Sequence, residues 1–107
     1  MLSQKEFLQR ITQEVESISP NAEVFLYGSR ARGDATEESD WDLLILVDGK
    51  VNQQLTDNIR HHLYEIEWET DTVVSSIIRS KQLWHTPKFQ QTPFYQSVKS
   101  DAILLSA

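Results

Sequence analysis

The sequence predicts a small α/β (α+β) domain, a mixed sheet of three to five strands with helices packed on it. Three observations predict it. Segments of helical and strand period alternate along the chain, and the most apolar run, Trp41 to Val47, has strand length. Pro and Gly, three of each, are too scarce for a linker. At 107 residues there is room for one compact domain, taken as residues 1–107, and not for two.

The elements follow in order. Ser3 with Glu6 has the spacing of a capping box, so a helix starts there. Phe7, Leu8, Ile11, Val15 and Ile18 then form one stripe, and Ser19-Pro20-Asn21 stops the helix. Glu23 to Tyr27 (EVFLY) reads as a strand ended by Gly28. Ser29 to Gly33 reads as a tight turn leading into a short helical piece, and Asp34 to Ser39 as a polar loop. Trp41 to Val47 (WDLLILV) is apolar on both alternating faces, as in a central strand covered on both sides. The link from Tyr27 to Trp41 is too short for a crossover helix, so these strands are expected to be antiparallel neighbours.

Asp48-Gly49-Lys50 makes the next turn. A second helix is expected from Asn52 to about Glu67, with Leu55, Ile59, Leu63 and Ile66 on one face. Thr72 to Ile78 (TVVSSII) is β-branched and reads as a third strand. Ser80 to Trp84 reads as a short helix, Thr86-Pro87 as a break, and Thr92 to Ser100 as a last helix with Pro93 in its first turn. Ala102 to Leu105 fits an edge strand or a tail.

Composition narrows the function. There is no Cys, so no disulfide or thiolate metal site exists. No apolar run approaches the roughly 18–20 residues that span a bilayer, and Met1 to Arg10 lacks the layout of a signal peptide. A cytoplasmic protein is the expectation. The net charge is −6, and twelve of the sixteen acidic residues lie between Glu23 and Asp71. That balance repels a phosphate backbone, so nucleic acid is a poor main partner, whereas clustered carboxylates suit divalent cations.

The chemistry is concentrated in Gly28 to Val47, GSRARGDATEESDWDLLILV. Asp40 and Asp42 are spaced i, i+2 at the start of the apolar strand. Strand side chains alternate, so both carboxylates point to one side. Two like charges there are costly unless a cation lies between them, and Mg²⁺, a hard ion held by one or two carboxylates plus phosphates, meets that need. Gly28 directly after a strand permits torsions closed to other residues and lets a ligand approach the main chain. The Ser29 hydroxyl and the amides after it can then bind phosphate oxygens, with Arg30 and Arg32 adding charge nearby. Each half alone is weak, since Asp-x-Asp also fits a frayed strand end and Gly-Ser an ordinary turn.

Together, Gly28-Ser29, then Arg30-Ala31-Arg32-Gly33, a spacer, and Ser39-Asp40-x-Asp42-Leu43-Leu44 resemble the signature of the polymerase-β-like nucleotidyltransferase superfamily, in particular its minimal nucleotidyltransferase branch. The resemblance implies a nucleotidyltransferase fold and Mg²⁺-dependent transfer of a nucleoside monophosphate from an NTP, with ATP the expected donor, to a hydroxyl. It implies that Gly28, Ser29, Arg30, Arg32 and Ser39 bind nucleotide and that Asp40 and Asp42 are catalytic metal ligands. It also implies a third carboxylate on a neighbouring strand. Asp71, just before Thr72, is the first choice, and Glu67 and Glu69 are the alternatives. In the family this acid lies within the strand, whereas here the strand interior holds Val73, Val74, Ser75 and Ser76. The alternative to an enzyme is therefore a nucleotide-binding regulatory protein of the same fold. The family's frequent partners are helical HEPN-type proteins, and in some such pairs the nucleotidyltransferase acts as the antitoxin and modifies a tyrosine of the partner, so such a partner is an expectation.

Elsewhere, His61 and His62 are adjacent on a helix and cannot face one metal together. His85 is expected in a loop and Trp41 in the core. Trp68, Trp84, Phe89, Phe94 and Tyr95 are expected mostly to pack, with any exposed remainder available to a partner.

Overall fold

The computed structural model describes residues 3–105. Helix α1 (Gln4–Ile18) begins at the capping box expected from sequence. The Glu6 amide donates to Ser3 Oγ at 3.1 Å, and the Ser3 amide donates to the Glu6 carboxylate at 3.4 Å. Strand β1 (Glu23–Tyr27), the one-turn helix α2 (Ser29–Arg32) and strand β2 (Trp41–Val47) follow, then helix α3 (Gln53–Thr70) and strand β3 (Val74–Ser80). Three short helices, α4 (Lys81–Trp84), α5 (Pro87–Gln90) and α6 (Pro93–Asp101), lead to the two-residue strand β4 (Ile103–Leu104).

The sheet order is β3-β2-β1-β4. Strands β1 and β2 are antiparallel neighbours, as the short link between them requires, and β4 adds antiparallel to the far side of β1. Strand β3 pairs parallel with β2, and α3 is the crossover that a parallel pair needs. The result is the mixed sheet predicted, with four strands.

Two apolar layers cover the sheet. Trp41, Leu43, Ile45 and Val47 pack beneath α1 and α3, against Phe7, Ile11, Val15, Ile59, Leu63 and Ile66. Leu44 and Leu46 pack on the other face, against Trp84, Tyr95 and Val98 of the short helices. Because side chains alternate, Asp42 belongs to the second face, in line with Leu44 and Leu46.

Three boundaries differ from the sequence reading. Helix α3 continues three residues beyond Glu67, because neither Gly nor Pro interrupts it, and ends where Asp71 adopts a left-handed cap (φ 54°, ψ 46°). Strand β3 accordingly starts at Val74 rather than Thr72 and runs on to Ser80. Thr86-Pro87 is not a plain break. Thr86 caps α5 and Pro87 occupies its first turn, where a missing amide hydrogen costs nothing. Ser80 and Thr92 cap α4 and α6 in the same way.

Ile45 lies at the centre of β2 and is fully buried, whereas Leu104 on the edge strand is 49% exposed. Ile45→Ala is expected to lower unfolding free energy by about 2–5 kcal/mol, and Leu104→Ala by much less. Urea denaturation of the two variants measures the difference, and equal losses would contradict the central place of β2.

Candidate functional site

The site forms where β1 and β2 end side by side. The antiparallel register sets Tyr27 opposite Asp42, so the residue after Tyr27 arrives beside the Asp42 carboxylate. That residue is Gly28, with φ 76° and ψ −158°, a conformation essentially reserved for glycine. A β-carbon there would lie 2.3 Å from Asp42 Oδ2, and nothing that close is tolerated. Gly28 is thus required twice, by its torsions and by the carboxylate against it. Its carbonyl accepts the amides of Ala31 and Arg32, at 3.0 Å each, and opens α2. The two halves of the motif are in contact.

The carboxylates are not equivalent. Asp40 is exposed just before β2, and its charge is felt by Asp42, which is partly buried. Burial first, and then Asp40, push Asp42 above the usual carboxylate range, while Arg32 pulls it back. The Tyr27 phenol beside it is raised as well, by burial and then by the Asp42 charge.

The two arginines do different things. The Arg30 guanidinium lies over the Trp41 ring, 4.3 Å from its centre. Its Nε and Nη2 donate to the Ser39 carbonyl at 3.2 and 2.9 Å, and Nη2 also donates to the Glu37 carbonyl at 3.2 Å. Arg30 therefore braces the loop before Asp40 and turns toward the Trp41 side of the sheet. Arg32 donates to Asp34 at 3.3 Å and to Asp101, at the end of α6, at 2.9 Å. It is the arginine whose charge reaches Asp42. Ser39 Oγ accepts the Thr36 amide at 2.9 Å and holds the turn before the carboxylates.

The structure does not bring a nominated third acid to this pair. Asp71 caps α3 and lines a cavity with Trp41, Phe7 and Arg10, on the side of the sheet away from Asp42. Glu67 accepts the Val74 amide at 3.3 Å, and Glu69 pairs with Arg10 at 2.5 Å, which holds it below the usual carboxylate range. Glu67 and Glu69 lie in the last turn of α3 and Asp71 caps it, and α3 packs on the opposite face from Asp42. On the Asp42 face, the neighbour on β3 is Ser75, by the parallel register. Among the described residues no three His, Asp or Glu side chains converge as a metal site. The donors present suit a hard cation held by two carboxylates and completed by phosphate oxygens and water, not a three-acid cage.

Three neighbours escaped the sequence reading. Tyr27 was legible only as a strand end, although its place before Gly28 puts it next to Asp42. Ser75 depends on strand register, and Asp101 lies 69 residues from Arg32 with no local signal. The histidines behave as surface groups. His61 faces Glu65, and His62 joins α3 to α1 through Glu14 at 2.7 Å.

A nucleotidyltransferase domain family matches residues 8–102, which runs from within the first helix to the end of the last and includes the whole of the site. The chain belongs to that family. Among solved structures it is similar to a toxin–antitoxin complex with AMP-PNP, with a TM-score of 0.67 and 16% identity over 94% of this chain and 73% of that one. It is also similar to a Sulfolobus solfataricus protein described as a candidate nucleotidyltransferase, with a TM-score of 0.56 and 24% identity over 94% and 77% of the two chains. At these identities the likeness is one of fold. No curated protein matches the sequence. Within this nucleotidyltransferase domain, the fold presses the Gly28-Ser29 turn against Asp42.

Two outcomes follow from the geometry. Gly28→Ala is expected to cost of order 1–3 kcal/mol from its torsions alone, with the contact to Asp42 adding to it. Gly33→Ala, also at positive φ (86°) but with open space at its β-carbon, should cost less. Chemical denaturation ranks the two, and a Gly33 variant as damaging as the Gly28 one would contradict the contact. The raised Asp42 pKa means that the folded chain holds this proton more tightly than the unfolded chain. Its contribution favours folding below the unfolded pKa and is lost as pH rises through the folded one. Asp42→Asn should therefore raise the metal-free melting temperature, by an amount that grows as pH rises above about 4, the unfolded carboxylate range. A thermal scan that shows a lower melting temperature at pH 7 would oppose the assignment.

Proposed function

We propose that the chain binds ATP with Mg²⁺ and transfers its nucleoside monophosphate to a hydroxyl. The observation that carries this reading is the contact of Gly28 with Asp42, which sets the Gly28-Ser29 turn beside a carboxylate pair. Gly28 and Ser29 hold the triphosphate, with Arg32 adding positive charge on that side. Asp40 and Asp42 hold Mg²⁺, which when bound neutralises charge on the phosphates. The acceptor oxygen bonds to the α-phosphorus, the bond from that phosphorus to the bridging oxygen breaks, and pyrophosphate leaves. The hydroxyl proton passes to a base or to solvent. Positioning and charge compensation account for the chain's part in this. Arg30 and Ser39 act by shaping the loop that delivers Asp40.

The acceptor we propose is a tyrosine of a helical HEPN-type partner, in an antitoxin role. Membership of the nucleotidyltransferase domain family supports the transfer, and the fold shared with a toxin–antitoxin complex containing AMP-PNP supports the nucleotide and the partner. The chain acts as one domain, in the cytoplasm. Among the described residues, no helix is long and apolar enough to cross a membrane.

A second reading is favoured by a specific observation. With Ser75 rather than an acid beside Asp42 on β3, the protein binds nucleotide and regulates a partner with weak catalysis or none. Incubation with α-labelled ATP, Mg²⁺ and the product of the neighbouring gene separates the two. Transfer of label and release of pyrophosphate, both abolished in Asp40→Ala, is expected for the enzyme. Nucleotide binding that Asp40→Ala weakens, without transfer, establishes the second reading. The role of Asp71 as a third ligand is tested by Mn²⁺ titration in the presence of ATP, where Asp71→Asn should match the wild type if the two-carboxylate site is complete. A large loss of affinity would return Asp71 to the site.

A further inference from the structure

Trp68 is 73% exposed, the most exposed large apolar side chain among the described residues. It meets Tyr64, one turn earlier and 54% exposed, ring edge to ring face at 6.1 Å. Two aromatics left in water at one end of α3 form a surface suited to anchoring a partner, since aromatic side chains dominate binding energy where they become buried.

The kind of partner follows from what surrounds this patch. Strand β3 is an edge strand, and its residues 74, 76 and 78 turn their backbone groups outward, because Val73 faces β2. Three of those outward groups are already engaged. The Val74 amide donates to Glu67, the Ser76 carbonyl accepts from Arg60 at 3.3 Å, and the Ile78 carbonyl accepts from Arg79 at 2.9 Å. An added strand would have to break these bonds, so the edge is guarded against strand addition. The occupant must dock through side chains, as a helix does.

Charge selects the helix. Glu65 and Asp71 lie within one turn of Trp68, and Glu67 within one turn of Tyr64. The nearby cations are partly committed, with Arg60 turned to the Ser76 carbonyl and His61 against Glu65. A second copy of this chain, net −6, would set these acids against themselves. We propose that the Tyr64–Trp68 surface docks an amphipathic helix of a partner protein whose apolar stripe is flanked by Lys or Arg. The site lies under the opposite face of the sheet from Asp42, but at the same end of the strands, because Val74 pairs with Trp41. A partner held there leaves the carboxylates open and stands at their rim. The inference does not depend on nucleotide transfer.

The test uses three labelled helical peptides that share a leucine stripe and differ in flanking residues, Lys, Gln or Glu, followed by anisotropy with the full chain. The Lys peptide is expected to bind saturably, at least about tenfold more tightly than the Gln peptide, and the Glu peptide not at all. Added salt should weaken the Lys peptide, and Trp68→Ala and Tyr64→Ala should each weaken it by at least about tenfold. Trp41 and Trp84 are only 6% exposed, so a blue shift of wild-type emission on binding reports Trp68 itself. Circular dichroism confirms that the variants are folded. Equal binding of Lys and Gln peptides, undiminished binding by Trp68→Ala, no binding at all, or sedimentation as a dimer that Trp68→Ala dissociates would each overturn the proposal. Asp42→Ala should leave peptide binding intact, so a failure of nucleotide binding speaks only against the proposed function.

Discussion

Strand β2 is buried on both faces, and the period of two along it leaves no freedom over where Asp42 points. Leu43, Ile45 and Val47 go under α1 and α3, so Leu44 and Leu46 go under the short helices, and Asp42 continues their line at the open end of the strand. The antiparallel partner then determines what stands next to it. With Tyr27 opposite Asp42, the chain leaves β1 directly against the carboxylate, and only a residue without a side chain fits. The Gly28 torsions, the start of α2 and the raised Asp42 pKa all descend from that one register.

The arrangement stores a local cost. A half-buried carboxylate beside a second one is unfavourable in the folded chain until a cation or a proton offsets it. Nearby cations relieve it little. Arg30, although part of the same motif, is drawn away by two loop carbonyls and the Trp41 ring, and Arg32 divides its charge among Asp34, Asp101 and the field at Asp42. The motif's arginines thus serve first to shape the loop and to tie it to α6, and that bracing keeps Asp40 near Asp42.

Helix α3 has a second set of consequences. As the crossover to a parallel strand it must run the length of the sheet and return the chain to the end where β2 begins. Its last turn therefore carries Trp68, Glu69 and Asp71 to the carboxylate end but on the other face. This is why acids that look close in sequence to β3 do not join Asp40 and Asp42, and why an aromatic surface lies near the site without entering it.

The sequence by itself determined the order and kind of nearly every element, the capping box at Ser3, the double burial of Trp41 to Val47 and the two halves of the motif. These are local properties, written in periodicity, capping residues and the restrictions on Gly and Pro. It also pointed to the family, through typed residues at fixed spacing between Gly28 and Leu44. Only the tertiary structure decided how far α3 runs, that Ser75 and not Asp71 neighbours Asp42, that Arg30 braces while Arg32 reaches the carboxylate, and that Asp101 joins the site's edge. Each of these depends on strand register or on contacts between distant segments. Register is set by how both faces of β2 are filled at once, and no stretch of sequence read alone contains that information.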